Sequence, residues 1–208
     1  DVPRSALLKY EFQRQGLEIT DAALNAFQKV NTVFKGEFMF SWDAGTRKTL
    51  DQKVPFSFYF KRDHTYFINR TSDKSPYAID HINGKFCIAE GEKVIEEIYF
   101  PPCPEYYSLK TKEGVPRSSI VQSCGDLLFV TVTKYCEFWK DNNQCLFCDL
   151  MAVTKEQSKT GELGVVHRDP DDIGETVGIA FKEAAPTHRH LIISGGSILG
   201  NYQGLSEI

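Results

Sequence analysis

The chain has 208 residues, 41% of them apolar and 25% charged, with a formal net charge of −4. That length buries a real core and allows one large or two small domains, and the composition is that of a soluble globular protein. The acidic balance argues against nucleic acid as the main partner, and no apolar run approaches the roughly 18 residues needed to span a bilayer, so no membrane partner is expected.

In residues 1–19, Leu7, Leu8, Tyr10 and Phe12 suit a short helix or an extended arm, and Gly16 breaks it. Thr20 then reads as the N-cap of a helix running to about Phe34, with Leu24, Phe27, Val30 and Phe34 on one face. From Gly36 to Pro101 the hydrophobic period changes to two. Phe38, Phe40 and Trp42 alternate with Met39 and Ser41, and Phe56, Phe58 and Phe60 with Ser57 and Tyr59. Tyr66 to Asn69 continues after a turn at Arg62-Asp63-His64. Further runs cover Tyr77 to Ile82, Lys85 to Ala89 and Val94 to Phe100, joined through Asn83-Gly84 and Glu90-Gly91. Asn-Gly is a strong hairpin signal. Residues 1–102 are therefore expected to be an α+β domain, an antiparallel sheet of about five strands with one helix packed on it. Its phenylalanines at period two read as the core faces of strands rather than as a stacking surface for bases or sugars.

Residues 103–126 contain Pro104, Gly114, Pro116, Ser118 and Ser119 and read as a linker. Cys87 falls inside a strand and reads as a small buried hydrophobe. Cys103 and Cys124 are dispersed.

Residues 127–208 carry the chemistry. Leu127 to Thr133 is β-branched and aromatic, and reads as a buried strand. Three of the six cysteines follow it within thirteen residues, Cys136, Cys145 and Cys148, spaced C-x8-C-x2-C. Cofactors bind at that edge of α/β sheets. Asp141-Asn142-Asn143 supplies the turn that brings Cys136 back toward the other two. Three clustered thiolates without an obvious fourth suit a cubane iron–sulfur cluster with one open iron, whereas structural zinc prefers four ligands. Lys155 to Glu162 reads as exposed loop. Asp169 is an N-cap, Pro170 fits the first helical position, and Ile173, Val177, Ala180, Phe181 and Ala184 recur at helical spacing until Pro186. Leu191 to Ile193 then reads as a short buried parallel strand ending in Ser194-Gly195-Gly196-Ser197. The order is strand, cysteine loop, helix, strand, diglycine.

With Phe147 before the last cysteine, this arrangement resembles the radical S-adenosylmethionine (radical SAM) enzymes. The first cysteine gap is longer than that family's usual three residues. Ser194-Gly195-Gly196-Ser197 resembles the family's Gly-Gly-Glu-like motif, with Ser197 in the acidic place. The resemblance covers about residues 127 to 200. It implies that these residues begin an α/β, partial TIM-like radical SAM barrel whose remaining βα units lie beyond Ile208. It implies that Cys136, Cys145 and Cys148 bind a [4Fe-4S] cluster, and that S-adenosyl-L-methionine chelates the open iron. Ser194, Gly195, Gly196 and Ser197 would then meet the methionyl moiety, and Phe147 would shield the cluster or border the adenine. Reductive cleavage would start hydrogen abstraction from a small-molecule or peptide substrate, with an electron donor such as flavodoxin or ferredoxin. The hydrogen-abstraction site and any other catalytic residue are not visible.

Two other readings stand beside this one. A non-catalytic zinc module could close a structural site of three cysteines and one histidine with His167, or of four cysteines with Cys124. A binding protein could use the aromatic sheet, with structural cysteines. Six cysteines and the sequon Asn69-Arg70-Thr71 also raise a secreted, disulfide-bonded reading. The βαβ setting of the cysteines favours a reducing cytoplasm instead.

Overall fold

The computed structural model describes residues 2–34, 53–139, 143–148, 150, 154, 168–184 and 190–198. The chain divides into two compact units, Asp1–Cys103 and Pro104–Ile208. The strand expected around Phe38, Phe40 and Trp42 lies outside the described residues, as do Lys155 to Glu162 and Pro186.

The first unit begins with helix α1 (Arg4–Gln15), which buries Phe12. Gly16, at φ 75°, turns the chain into a two-residue strand β1 (Glu18–Ile19). Helix α2 (Asp21–Phe27) follows, and the Thr20 hydroxyl accepts from the Ala23 amide at 3.2 Å as its cap. The helix stops seven residues short of Phe34. Lys29 and Val30 bond back to Ala26 and Phe27, which tightens the last turn, and Thr32 and Val33 are β-branched. The chain beyond is used elsewhere: the Thr32 hydroxyl donates to Pro101 O at 2.7 Å, and Phe34 bridges to Pro55.

Five further strands follow: β2 (Ser57–Phe60), β3 (Tyr66–Ile68), β4 (Ala78–Ile82), β5 (Lys85–Glu90) and β6 (Lys93–Tyr99). The sheet order is β1-β4-β5-β6-β2-β3. It is antiparallel except for β1 against β4, a parallel pair absent from the expected pattern, and two helices rather than one precede its main strands. Asn83 and Gly84 both take positive φ, 52° and 76°, as a two-residue hairpin turn of the primed class requires. Phe58, Phe60, Phe67, Ile79, Ile88 and Ile98 share one core with Phe12 and Phe27. The sequon does not present a glycosylation site in this fold. Asn69 is buried, and its side-chain amide donates to Pro55 O at 3.1 Å.

Residues 104–126, read above as a linker, are part of the second unit's core. Tyr106, Ile120 and Val121 are large apolar groups buried with Leu128, Val130 and Ala180. The segment makes two single 3₁₀ turns, Glu105–Ser108 and Arg117–Ser119, and then strand β7 (Val121–Cys124). β7 pairs antiparallel with β8 (Leu127–Thr131), and β8 pairs parallel with β9 (His190–Ser194). Between them lies helix α3 (Pro170–Ala184). Asp169 caps it, accepting from the Asp171 and Asp172 amides at 2.8 and 3.2 Å.

β9 differs from the expected buried strand. Leu191, Ile192 and Ile193 are 39%, 43% and 61% exposed, because β9 is the edge of this sheet and β8 flanks it on one side only. α3 is fixed at its other face by Arg117, whose guanidinium donates to the buried Thr176 hydroxyl at 2.8 Å and pairs with Glu175 at 3.0 Å. Arg117→Ala removes both and leaves a cavity under the helix. It is expected to cost about 2 kcal/mol in denaturant unfolding, whereas Lys112→Ala on the exposed segment should stay within about 0.5 kcal/mol.

Candidate functional site

β8 and β9 run parallel with Thr131 opposite Ser194, so both chains leave the sheet at the same edge. They do not separate there. Val132 N donates to Ser194 O at 2.9 Å, Gly196 N to Thr133 O at 3.1 Å, and Glu137 N to Ser197 O at 2.9 Å. The diglycine segment is thereby laid along the root of the cysteine loop. A side chain at Gly195 would meet Val132 Cγ2 at 2.9 Å, and one at Gly196 would meet Cys136 Cβ at 2.7 Å. Neither glycine has a positive φ, so it is space and not backbone conformation that requires glycine here.

Past Cys136 the loop makes one 3₁₀ turn, Glu137–Trp139, and Asn143 N returns to Phe138 O at 2.9 Å. A tight turn closes Cys145 to Cys148, with Cys148 N donating to Cys145 O at 3.0 Å. Cys136 is buried, Cys148 half-buried and Cys145 exposed, and none of the six cysteines is joined in a disulfide. Among the described residues, no three Cys, His, Asp or Glu side chains stand close enough together to hold a metal ion. The structure thus brings Cys136 against Gly196 and Ser197, and Cys145 beside Cys148, but it does not converge the three thiols on one point. Phe147, on the Cys145–Cys148 turn, is 91% exposed.

The fourth-ligand candidates fare differently. β7 runs antiparallel to β8, which sets Cys124 opposite Leu127, at the far end of β8 from Cys136. Four residue steps along a strand span about 13 Å, too far for one metal to bridge. His190 sits at that far end too, 3.6 Å from Asp126. His167 and His188 lie outside the described residues.

Four residues that carry no motif mark the same edge. Among the described residues six buried side-chain polar atoms have no partner, and five of them are Thr131 Oγ1, Trp139 Nε1, Gln144 Oε1, and Arg168 Nε and Nη1. All four residues lie at the end of β8, in the cysteine loop, or bonded to it, since Arg168 N donates to Val132 O at 2.9 Å. Unpartnered buried groups are costly, and five of the six fall at the end of β8, in the cysteine loop, or on a residue hydrogen-bonded to that segment. Lys134 is also buried here. Its burial, with the neighbouring Arg168 charge acting the same way, pushes its ammonium pKa down to about 8, and burial lowers that of Arg168 as well. In sequence, Lys134 and Arg168 are indistinguishable from solvated charges, because only the fold buries them.

A cavity of about 430 Å³ opens at the N-terminus of α3, lined by Arg168, Lys112, Glu113, Asp169 and Asp172 among others. Its lining is mainly acidic. Burial, then the nearby Glu113 and Asp169 charges, raise the Asp172 carboxyl above the ordinary range.

No family model matches the chain, and neither a curated protein nor a solved structure does. No helix among the described residues is long and apolar enough to cross a membrane. In kind, three cysteine thiols outside any disulfide are the soft donors that an iron–sulfur cluster takes, although the described thiols do not converge on one point. The strand register does not fit a four-cysteine zinc site closed by Cys124.

Proposed function

We propose that the chain carries the cluster-binding part of a radical SAM enzyme, with Cys136, Cys145 and Cys148 as the ligands of a [4Fe-4S] cluster. The observation that supports this most is the hydrogen-bonded alignment of Ser194–Ser197 with the root of the cysteine loop, which brings the first thiol and the diglycine turn to one sheet edge. When bound, such a cluster supplies the electron that cleaves S-adenosyl-L-methionine and so begins hydrogen abstraction from a small-molecule or peptide substrate.

The chain's own residues have distinct parts in this reading. The buried Cys136, the half-buried Cys148 and the exposed Cys145 would hold the cluster's irons. Gly195, Gly196 and the Ser194 and Ser197 backbone form the wall on which the methionyl group is oriented. Phe147, exposed on the Cys145–Cys148 turn, would shield the cluster from water or border the adenine. A flavodoxin- or ferredoxin-like donor supplies electrons. Six cysteines without a disulfide and a buried sequon asparagine support a reducing cytoplasm as the place of work.

The test is turnover. Anaerobically reconstituted, dithionite-reduced protein is expected to convert S-adenosyl-L-methionine to methionine and 5′-deoxyadenosine, read by chromatography. Cys145→Ala should reduce the product to the protein-free background. Full cleavage by that variant removes Cys145 from the ligand set, and no cleavage by an iron-loaded wild type overturns the activity.

A further inference from the structure

The diglycine segment does more in this fold than border a cofactor. Three backbone bonds tie it to residues 132–137, and the last of them, Glu137 N to Ser197 O, lies directly beyond Cys136. An added Cβ on Gly196 would overlap the Tyr135 carbonyl group, with its carbon at 2.5 Å, and would stand 2.7 Å from Cys136 Cβ. The obstruction is backbone, which cannot rotate aside as a flexible side chain can. Gly195 is less constrained: its nearest neighbours are the Val132 methyl at 2.9 Å and Thr133 backbone atoms at 3.1 Å, none of them in Cys136.

We infer that Gly196 is a positioning residue for Cys136, holding the Tyr135–Cys136 peptide against the extension of β9 so that this thiol is set and buried before metal arrives. The other two thiols belong to a turn that makes no such bond to β9 among the described residues. The ligand set is therefore half built: one sulfur is fixed by the sheet and two are brought to it. This rests on the proposed cluster for its purpose, but not for its geometry.

Cysteine-resolved alkylation of the metal-free, reduced full chain tests the geometry. With iodoacetamide and mass spectrometry, wild-type Cys136 should react at least about tenfold more slowly than Cys145, since access governs a buried thiol. Gly196→Ala should bring Cys136 close to the rate of Cys145, whereas Gly195→Ala should leave Cys136 protected. Unchanged protection of Cys136 in Gly196→Ala overturns the inference. Hydrogen exchange of the wild type covers the case in which the variant fails to fold: the Glu137 and Gly196 amides should be as protected as those of β8, and exchange at open-loop rates overturns it equally.

The loaded protein separates this role from a contact to the cofactor. If Gly196 seats Cys136, Gly196→Ala lowers iron content and changes the cluster's electron paramagnetic resonance signal with no S-adenosyl-L-methionine present. If it serves only the methionyl group, iron and signal stay unchanged, affinity for the cofactor alone falls, and the inference fails. A wild type that takes up no iron overturns the proposed function, while the labelling still decides whether Gly196 holds Cys136.

Discussion

Replacing Cys136, Cys145 and Cys148 together by alanine is expected to remove essentially all bound iron and the brown visible absorbance, with iron per chain falling below about a tenth of the wild-type value. Each single replacement should lose most of it, because a cubane held by two thiolates on an accessible loop has no protein ligand to spare. The fold should survive. Cys145 is exposed, so its truncation removes no core packing, and Cys136→Ala deletes one buried sulfur, a loss of about 1 kcal/mol. Loss of iron with a stability loss of no more than about 1 kcal/mol therefore separates ligation from structure. Iron retained by the triple variant would assign the metal to other residues.

The largest stability effect belongs to the first unit. Phe12 is fully buried, and its ring stands edge-on to Phe60 and Phe67 at 6.1 Å and to Tyr77 at 5.1 Å. It is the one buried residue of α1 and, with the partly buried Leu8, ties that helix into the sheet's core. Phe12→Ala loses the transfer energy of the ring and leaves a cavity among aromatic neighbours that cannot close over it, a cost of about 3–5 kcal/mol. For a unit of this size that lowers its melting temperature by well over about 10 °C in calorimetry. Tyr10→Ala, on the solvent side of the same helix, should change stability by less than about 0.5 kcal/mol. A Phe12→Ala loss near that of Tyr10→Ala would mean that α1 is not anchored as described.

What the sequence revealed was local chemistry. Thr20 and Asp169 were legible as caps because a side-chain oxygen in front of a helical period has little else to do, and both accept the expected amides. Asn83-Gly84 was legible because left-handed φ at two successive residues is a narrow demand. The end of α2 was not, since Val30 and Phe34 keep helical spacing while the Asn31 and Val33 carbonyls accept from Cys103 and Phe56 and the Thr32 hydroxyl donates to Pro101 O, all far along the chain. Residues 104–126 were misread for a similar reason. Pro, Gly and Ser are eight of their 23 residues, enough to suggest a linker, and Tyr106, Ile120 and Val121, buried in the core, show no period.

At the site, the cysteine spacing and the strand before it pointed to one sheet edge, and the strand ending in diglycine pointed to the same one. The bonds between them depend on the parallel register of β8 and β9, which sequence does not encode locally. Arg168, Trp139 and Gln144 were invisible for the same reason: an orphaned donor or acceptor exists only once the surrounding chain has excluded water.

The identity of the metal tests the central claim most directly. Protein purified without oxygen should hold about four iron and four sulfide per chain with no stoichiometric zinc, and its Mössbauer spectrum should single out one iron when S-adenosyl-L-methionine is added. A colourless protein with one tightly held zinc, unaffected by S-adenosyl-L-methionine, would contradict it.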